Sequence, residues 1–389
     1  MRGMISALAA AILVTGSVWA QEETETAKTA DAAAAEKPYV IETVAEGLHY
    51  PWSLAFLPGG GMLVTERDGR LRLIRGGELV EDPVTGVPPV YVESQAGLFD
   101  VTLHPQFALN KMLFLAYAHG DAGANNTRVA RARFDEEALE LKDLEVIFEA
   151  EPLKDTPVHY GGRMTFLPDG TLLVTLGDGF EYREQAQVLS NHLGAIVRLN
   201  PDGSVPGDNP FTDREDAKPE IWSYGHRNVQ AVLYDPDTGR IYAHEHGAKG
   251  GDEINIIEKG KNYGWPLATH GIDYSGAYIT PWTEFEGTEQ PLLHWTPSIA
   301  PSGMTLYRGR KFPQWDGDFL VSALAARKVQ RVDMENGEVT GQEALFEELG
   351  ARIRDVRTGP DGSVYLLTDA EPTEENPEGG KVLRVRPKE

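Results

Sequence analysis

From residue 38 onward, apolar and polar positions alternate in short runs, and each run follows a turn rich in proline and glycine. The pattern starts at Leu57-Pro-Gly-Gly-Gly-Met-Leu-Val-Thr65. It recurs at His104-Pro-Gln-Phe107 with Met112-Leu-Phe-Leu-Ala-Tyr117, at Leu167-Pro-Asp-Gly-Thr-Leu-Leu-Val-Thr175 and at Tyr234-Asp-Pro-Asp-Thr-Gly-Arg-Ile-Tyr242. It closes at Phe312-Pro-Gln-Trp-Asp-Gly-Asp-Phe-Leu-Val321 and Gly359-Pro-Asp-Gly-Ser-Val-Tyr-Leu-Leu-Thr368. Alternation with a period of two marks a strand, because successive side chains point to opposite faces. One Pro-Asp-Gly is an ordinary turn. Six such turns, each followed by the same alternation at spacings of 47 to 78 residues, predict an all-β, six-bladed β-propeller. A sandwich or two small β domains is the alternative, but no long linker divides the chain after residue 38. Ring closure would pair a strand near Tyr39–Thr43 with a final strand over Lys381–Val385. Helical signal is confined to Arg183–Leu189 and Glu343–Leu349, each enough for one short turn.

Composition agrees with a turn-rich β architecture: 41 glycines and 25 prolines in 389 residues, with 41% hydrophobic residues to build a core. The net charge of −24 argues against nucleic acid or anionic lipid as a partner, since both need a basic face. The absence of cysteine excludes disulfides, thiolate metal sites and a cysteine nucleophile. At the N-terminus, Arg2, an apolar run over Met4–Val14 and Val18-Trp19-Ala20 before Gln21 have the layout of a signal peptide. Residues 1–20 are therefore expected to direct export to the periplasm, and residues 21–37, rich in Ala, Glu and Thr, to form a disordered leader. The propeller is expected over residues 38–389. No later apolar run is long enough to span a bilayer, so stable membrane insertion is not expected.

No Gly-x-Gly-x-x-Gly opens a helix, and neither a Walker loop nor a Gly-x-Ser-x-Gly elbow occurs, which removes the usual nucleotide and serine-hydrolase readings. The polar residues concentrate instead in a few loops. Gln95-Ala-Gly-Leu-Phe-Asp100 can present an amide into a cavity. His159-Tyr-Gly-Gly-Arg163 puts an imidazole just before a strand, where it is either a proton acceptor or a structural histidine. Ser223-Tyr-Gly-His-Arg-Asn228 offers a cation and an amide, with His226 read as a support for the loop. Glu245-His-Gly-Ala-Lys-Gly-Gly-Asp-Glu-Ile-Asn255 exposes glycine carbonyls beside Asp252 and Glu253, oxygen donors of the kind calcium takes; the plain reading is a glycine turn with a solvated acidic pair. His244 and His246 would share a face of a strand, but no third transition-metal ligand is adjacent. Arg352-Ile-Arg354 places two guanidinium groups on one side of a strand, either to hold carboxylates or to bridge surface acids.

These pieces in this order resemble the soluble quinoprotein sugar dehydrogenases, which use pyrroloquinoline quinone (PQQ). The resemblance runs from about Glu46 to Arg386. It is carried by Gln95-Ala-Gly-Leu98 with His104-Pro105, His159-Tyr-Gly-Gly-Arg163, Tyr224-Gly-His-Arg-Asn228, Glu245-His-Gly247 with Gly251-Asp-Glu-Ile-Asn255, Asn262-Tyr-Gly-Trp-Pro266, Pro297-Ser-Ile-Ala-Pro-Ser302 and Arg352-Ile-Arg-Asp355. The family fold is a six-bladed propeller. The resemblance implies that His159 is the general base that takes the sugar hydroxyl proton, and that Arg227 meets the quinone oxygen. It implies that Gln95 lies near quinone and substrate, and that Asn228, His246, Asp252 and Ser298 belong to the cofactor pocket. Arg352 and Arg354 would bind the PQQ carboxylates. The carbonyls of Gly247 and Ala248 would hold the calcium ion that clamps PQQ, and Glu253 and Tyr263 a second calcium. The chain departs from the pattern at Ala325, where some members carry lysine, at Ser298 for threonine, at His246 for glutamine and at Val158 for an acid.

The resulting expectation is a periplasmic, PQQ- and calcium-dependent oxidoreductase. It would oxidise the anomeric hydroxyl of an aldose to a lactone and pass electrons to an external acceptor, a quinone or a cytochrome. Two rivals share the fold: a calcium-dependent lactonase, which has no use for Arg352 and Arg354, and a propeller that binds carbohydrate or protein without catalysis, which would not need His159.

Overall fold

A computed structural model describes residues 37–369 and 379–388. The expected signal peptide and all but Lys37 of the expected leader lie outside the described residues. Six four-stranded antiparallel sheets follow one another along the chain. Their first strands are Pro51–Phe56, Leu98–Leu103, Gly161–Phe166, Val229–Tyr234, Pro301–Leu306 and Ile353–Thr358, which open blades one to six. Each first strand packs beside that of the next blade, and that of blade six beside that of blade one, so the six strands form a closed ring. The six turns singled out in the sequence are the connections from first to second strand in the six blades. Strand Tyr39–Leu48 joins blade six, pairing antiparallel with Gly380–Pro387 in the register Tyr39↔Pro387 to Thr43↔Leu383, as the sequence predicts.

The core is divided among the spaces between blades, because a single twisted sheet cannot bury both of its faces alone. Leu63, Leu73, Leu113 and Leu115 pack together where blade one meets blade two, and Leu173, Ile196, Val232 and Ile241 where three meets four. Leu54, Val64, Leu367 and Val382 close the seam between six and one. Of the two expected helical turns, Arg183–Gln187 and Glu347–Leu349 are 3-10 turns, while Glu343–Leu345 belongs to the last strand of blade five, Glu338–Leu345. Tertiary pairing with Lys328–Glu335 decides that segment over its local propensity.

Two repeated features position the site. Every first strand carries a register shift at its start: Pro51/Ser53, Leu98/Val101, Gly161/Met164, Val229/Ala231, Pro301/Gly303 and Ile353/Asp355. Such bulges bend a strand and re-aim the residues before it. Just before these strands, Tyr50, Ser94, His159 and Ala300 hold left-handed backbone, with φ of 45°, 49°, 54° and 53°. Non-glycine residues in this region are strained and gather at functional sites.

The ring axis is polar. Arg163, fully buried on the first strand of blade three, reaches the remaining five blades. Its guanidinium lies 3.4 Å from Asp100 Oδ1 in blade two and 3.3 Å from Asp355 Oδ2 in blade six. It donates to Gln230 O of blade four at 3.1 Å and Ser302 O of blade five at 3.2 Å, and its Cζ sits 4.2 Å over the Trp52 ring of blade one.

Candidate active site

The loops that precede the first strands converge on one mouth of the ring. A cavity of about 420 Å³ there is lined by Gln95, Asn228, His246, Arg352 and Arg354 from the sequence-derived set, joined by Tyr50, Trp52, Arg67, Tyr160, Gln230 and Asp369. Trp52 and Gln230 also contact Arg163, so the polar axis forms the cavity's floor. A second cavity of about 360 Å³ is lined by Phe180, Arg227, Ala248, Trp265 and Tyr274.

His159 is not among the lining residues of either cavity but touches one of each, Gln95 and Phe180. Its main-chain N–H donates to Gln95 Oε1 at 3.0 Å, and its ring meets Phe180 edge-on at 5.2 Å. Nδ1 is 2.6 Å from Asp178 Oδ1. Burial alone would raise the Asp178 pKa, but the imidazole, Arg227 and the Phe180 N–H together hold it below the usual carboxylate range. Asp178 is therefore an acceptor, Nδ1 carries the proton, and Nε2 keeps its lone pair with no hydrogen bond among the described residues. Burial lowers the His159 pKa against the pull of Asp178, so the ring is neutral near pH 7. A neutral imidazole with an open nitrogen, oriented by a carboxylate, is a proton acceptor in working order.

Asp178 is held in turn by Trp265, whose indole N–H donates to its Oδ2 at 2.8 Å. The same indole lies under Arg227, with Cζ 5.3 Å from the ring. Arg227 takes its place from Glu245, which accepts from the Arg227 main-chain N–H and, at 2.9 Å, from His226 Nδ1. His226 thus supports the loop, as the sequence suggests, with Ser223 Oγ 2.9 Å from its other nitrogen. The Arg227 guanidinium donates to the carbonyls of His246 and Gly247. The expected polarising cation and an expected metal-ligating carbonyl therefore share one corner. Gly247 is required there, since a Cβ would lie 2.2 Å from Gly250 O.

Several expectations change on contact with the geometry. Asp252 is fully buried and does not line the large cavity. It accepts from Gly247 N at 2.9 Å, Ser298 Oγ at 2.7 Å, Ile299 N at 2.8 Å and Ala300 N at 3.0 Å. Asp252 and Ser298 thus brace the loop that delivers Ala300 to the cavity wall, rather than facing it themselves. His244 and His246 do not form a metal pair: His246 Nε2 is 2.7 Å from Pro301 O, and burial pushes the His246 pKa down to about 4 and that of His244 to about 3. The Tyr263 phenol donates to Ile256 O at 2.6 Å and accepts from Glu258 N at 2.7 Å, so only the Tyr263 carbonyl remains as a possible ligand.

Glu253, Glu245, Tyr263, Gly247, Gly251 and the Arg227 guanidinium surround a small cavity of about 10 Å³, room for about one water-sized species. Burial of the Glu253 carboxyl, then the nearby Glu245, push its pKa up to about 8. Two carboxyls, one of them held neutral by burial, are the donors a hard cation takes, though Arg227 shares the wall. Among the described residues no three His, Asp or Glu side chains converge as metal ligands, so any cation would lean on carbonyls.

Arg352 and Arg354 both face the large cavity, each 3.6 Å from Asp369 Oδ2. Among the described residues Asp369 is the one carboxylate paired with them, and Arg354 is buried enough to lower its pKa to about 10, which favours the carboxylate-holding alternative over a surface bridge. Leu324, not Ala325, reaches the cavity from blade five. Sequence reading missed Asp178, although an acid between Gly177 and Gly179 at a strand end is a usable signal. It also missed Lys154, a buried amine 3.6 Å over the Tyr160 ring, whose pKa burial lowers to about 7.

Comparison with known proteins agrees with this geometry. The glucose/sorbosone dehydrogenase family model matches residues 48–377. The chain is 42% identical over 353 residues to the aldose sugar dehydrogenase YliI of Escherichia coli, spanning 90% of this chain and 93% of that one. The crystal structure of the soluble E. coli aldose sugar dehydrogenase in its apo form superposes with a TM-score of 0.85 at 41% identity, covering 90% and 100% of the two chains. The PQQ-bound form of an aldose sugar dehydrogenase from Streptomyces coelicolor gives a TM-score of 0.71 at 27% identity, covering 90% and 98%. With its propeller, its histidine–carboxylate pair and this match over most of its length, the chain belongs to the glucose/sorbosone dehydrogenase family.

Proposed function

We propose that the protein is a PQQ- and calcium-dependent aldose dehydrogenase that oxidises the anomeric hydroxyl of a sugar to a lactone. The observation that carries this reading is the open Nε2 of a neutral, Asp178-backed His159 beside an arginine-lined cavity. A relative's PQQ-bound structure supports the choice of cofactor. Bound in the large cavity, PQQ would supply a two-electron acceptor, and calcium at the Gly247 and Ala248 carbonyls would polarise it as a Lewis acid.

The chain's own residues do the rest. Arg352 and Arg354 hold carboxylates in the cavity, where paired forks bind two oxygens each. His159 Nε2 takes the proton from the sugar's C1 hydroxyl as the C1 hydride leaves, which removes two electrons and two hydrogens and leaves the lactone carbonyl. Asp178 holds the ring in the tautomer this needs and stabilises the imidazolium that forms. Arg227 supplies fixed positive charge where negative charge develops. Glu253 and the Tyr263 carbonyl would hold a second, structural calcium.

Calcium and PQQ added together to the purified protein should give aldose-dependent reduction of an artificial electron acceptor. No reduction across a broad sugar panel would sink the proposal. The same reading includes export to the periplasm and a quinone or cytochrome as the natural acceptor. N-terminal sequencing of protein from a periplasmic fraction should begin at Gln21, and a chain retaining Met1 there would contradict it.

A further inference from the structure

Among the described residues, three guanidinium groups, those of Arg67, Arg352 and Arg354, line the large cavity against one carboxylate, Asp369. Arg352 and Arg354 share that carboxylate. Arg67 makes no ion pair within the described residues; its Cζ lies 4.6 Å over the Tyr50 ring. In a chain with a net charge of −24, with acids to spare for every surface arginine, a pocket left with an excess of guanidinium is built for an anion.

The placement of Arg67 is fixed rather than incidental. Its main-chain N–H donates to Tyr50 O at 3.1 Å, and Leu98 N–H donates to its carbonyl at 3.0 Å. A Cβ on Gly97 would lie 2.2 Å from Arg67 O and 2.3 Å from its Cγ. The glycine of Gln95-Ala-Gly97 is thus what lets the arginine stem pass, and one loop positions both the amide that holds His159 and this cation. Stacking on Tyr50 leaves the guanidinium edge, with its donors, free to meet a planar anion.

We infer that Arg67 is a third carboxylate-binding arm of the cavity, gripping an aromatic polycarboxylate together with the Arg352–Arg354 pair of the neighbouring blade. The inference rests on the PQQ reading above and adds a residue that none of the recognised motifs contains. PQQ carries three carboxylates, and with Arg67 the cavity offers three guanidinium groups to meet them.

The test is binding alone, with no sugar and no electron acceptor. Calcium-loaded protein is titrated with PQQ by quenching of tryptophan fluorescence, at low and high salt. Arg67→Met should weaken PQQ binding about tenfold to a hundredfold and flatten its salt dependence. Arg67→Lys, which keeps the charge but loses the fork, should fall between the two. If Arg67→Met fails to fold, as judged by its melting curve, Arg67→Lys decides: affinity equal to wild type within about twofold overturns the role. Wild-type binding with an indifferent Arg67→Met variant removes only the role of Arg67. A wild-type protein that binds no PQQ removes the cofactor reading along with it.

Discussion

Trp265 donates its indole N–H to Asp178 Oδ2 at 2.8 Å, and the face of the same ring lies 5.3 Å from the Arg227 guanidinium carbon. One side chain therefore touches both the carboxylate behind the candidate base and the candidate polarising cation. Trp265→Phe keeps the ring and removes the donor. Asp178 then becomes more basic and favours the imidazolium of His159, so the His159 pKa rises. Activity needs neutral His159, so the acid limb of the kcat/KM profile should move to higher pH, with PQQ affinity unchanged. An unmoved limb would show that Trp265 only fills space.

Replacing the base or its partner separates chemistry from binding. His159→Ala should retain PQQ binding and lose turnover. Asp178→Asn should keep the fold and lower kcat by roughly a hundredfold to ten-thousandfold, the range for a general base left in the wrong tautomer. Stopped-flow reduction of bound cofactor by sugar measures this directly. Full turnover in either variant would remove the base assignment.

The small cavity at Glu253 ties cation binding to pH. Without a cation, the folded protein holds a proton on Glu253 up to about pH 8, while the unfolded chain releases it near 4.5. The folded form binds more protons in that window, so this group's contribution is fully present below about pH 4.5 and is lost as pH rises through 8. Calcium bound at Glu253, as proposed, would replace that proton. The gain in melting temperature on adding calcium to chelator-treated protein should therefore grow between pH 5 and pH 8, and Glu253→Gln should abolish the growth. A gain that is flat with pH would place the cation elsewhere.

At the axis, Arg163 neutralises Asp100 and Asp355 while bonding to carbonyls of two further blades. Arg163→Met leaves the two buried carboxylates to Arg357 alone, 3.6 Å from Asp100 and 2.9 Å from Asp355, a loss of up to about 3–5 kcal/mol by the usual scale for breaking a buried pair. Thermal unfolding should report it as a marked drop in melting temperature. A melting temperature like that of the wild type would mean that Arg357, 2.9 Å from Asp355, compensates.

The propeller was legible because each blade repeats a local signal, a turn and an alternating strand, that needs no distant partner to be read. Ring closure followed from the apolar pattern at both chain ends. The candidate site was legible where residues sit in motifs beside the first strands, as with His159, Arg227 and the Arg352–Arg354 pair. It was illegible where the role depends on which way a side chain faces. Asp252 and Ser298 lie in motifs as telling as those of His159, yet they bond to each other, and Asp252 to the main chain that follows Ser298. Asp178 stands 19 residues from His159 and meets it only through the bend after a strand. The Tyr263 phenol is tied to the turn at Glu258, which no spacing rule discloses.

The strand that completes blade six comes from the other end of the chain, and this sets a timetable for biogenesis. Pro387 follows Tyr39 by 348 residues (387 − 39), so during synthesis the early strand waits on the order of tens of seconds for its partner. An unpaired edge invites the wrong neighbour. Glu42 and Glu46 on that strand find Arg386 at 2.7 Å and Lys381 at 3.0 Å once the final strand arrives. Those charges work as an address: they make the waiting edge unwelcoming to apolar strands and complementary to the one strand that finishes the ring.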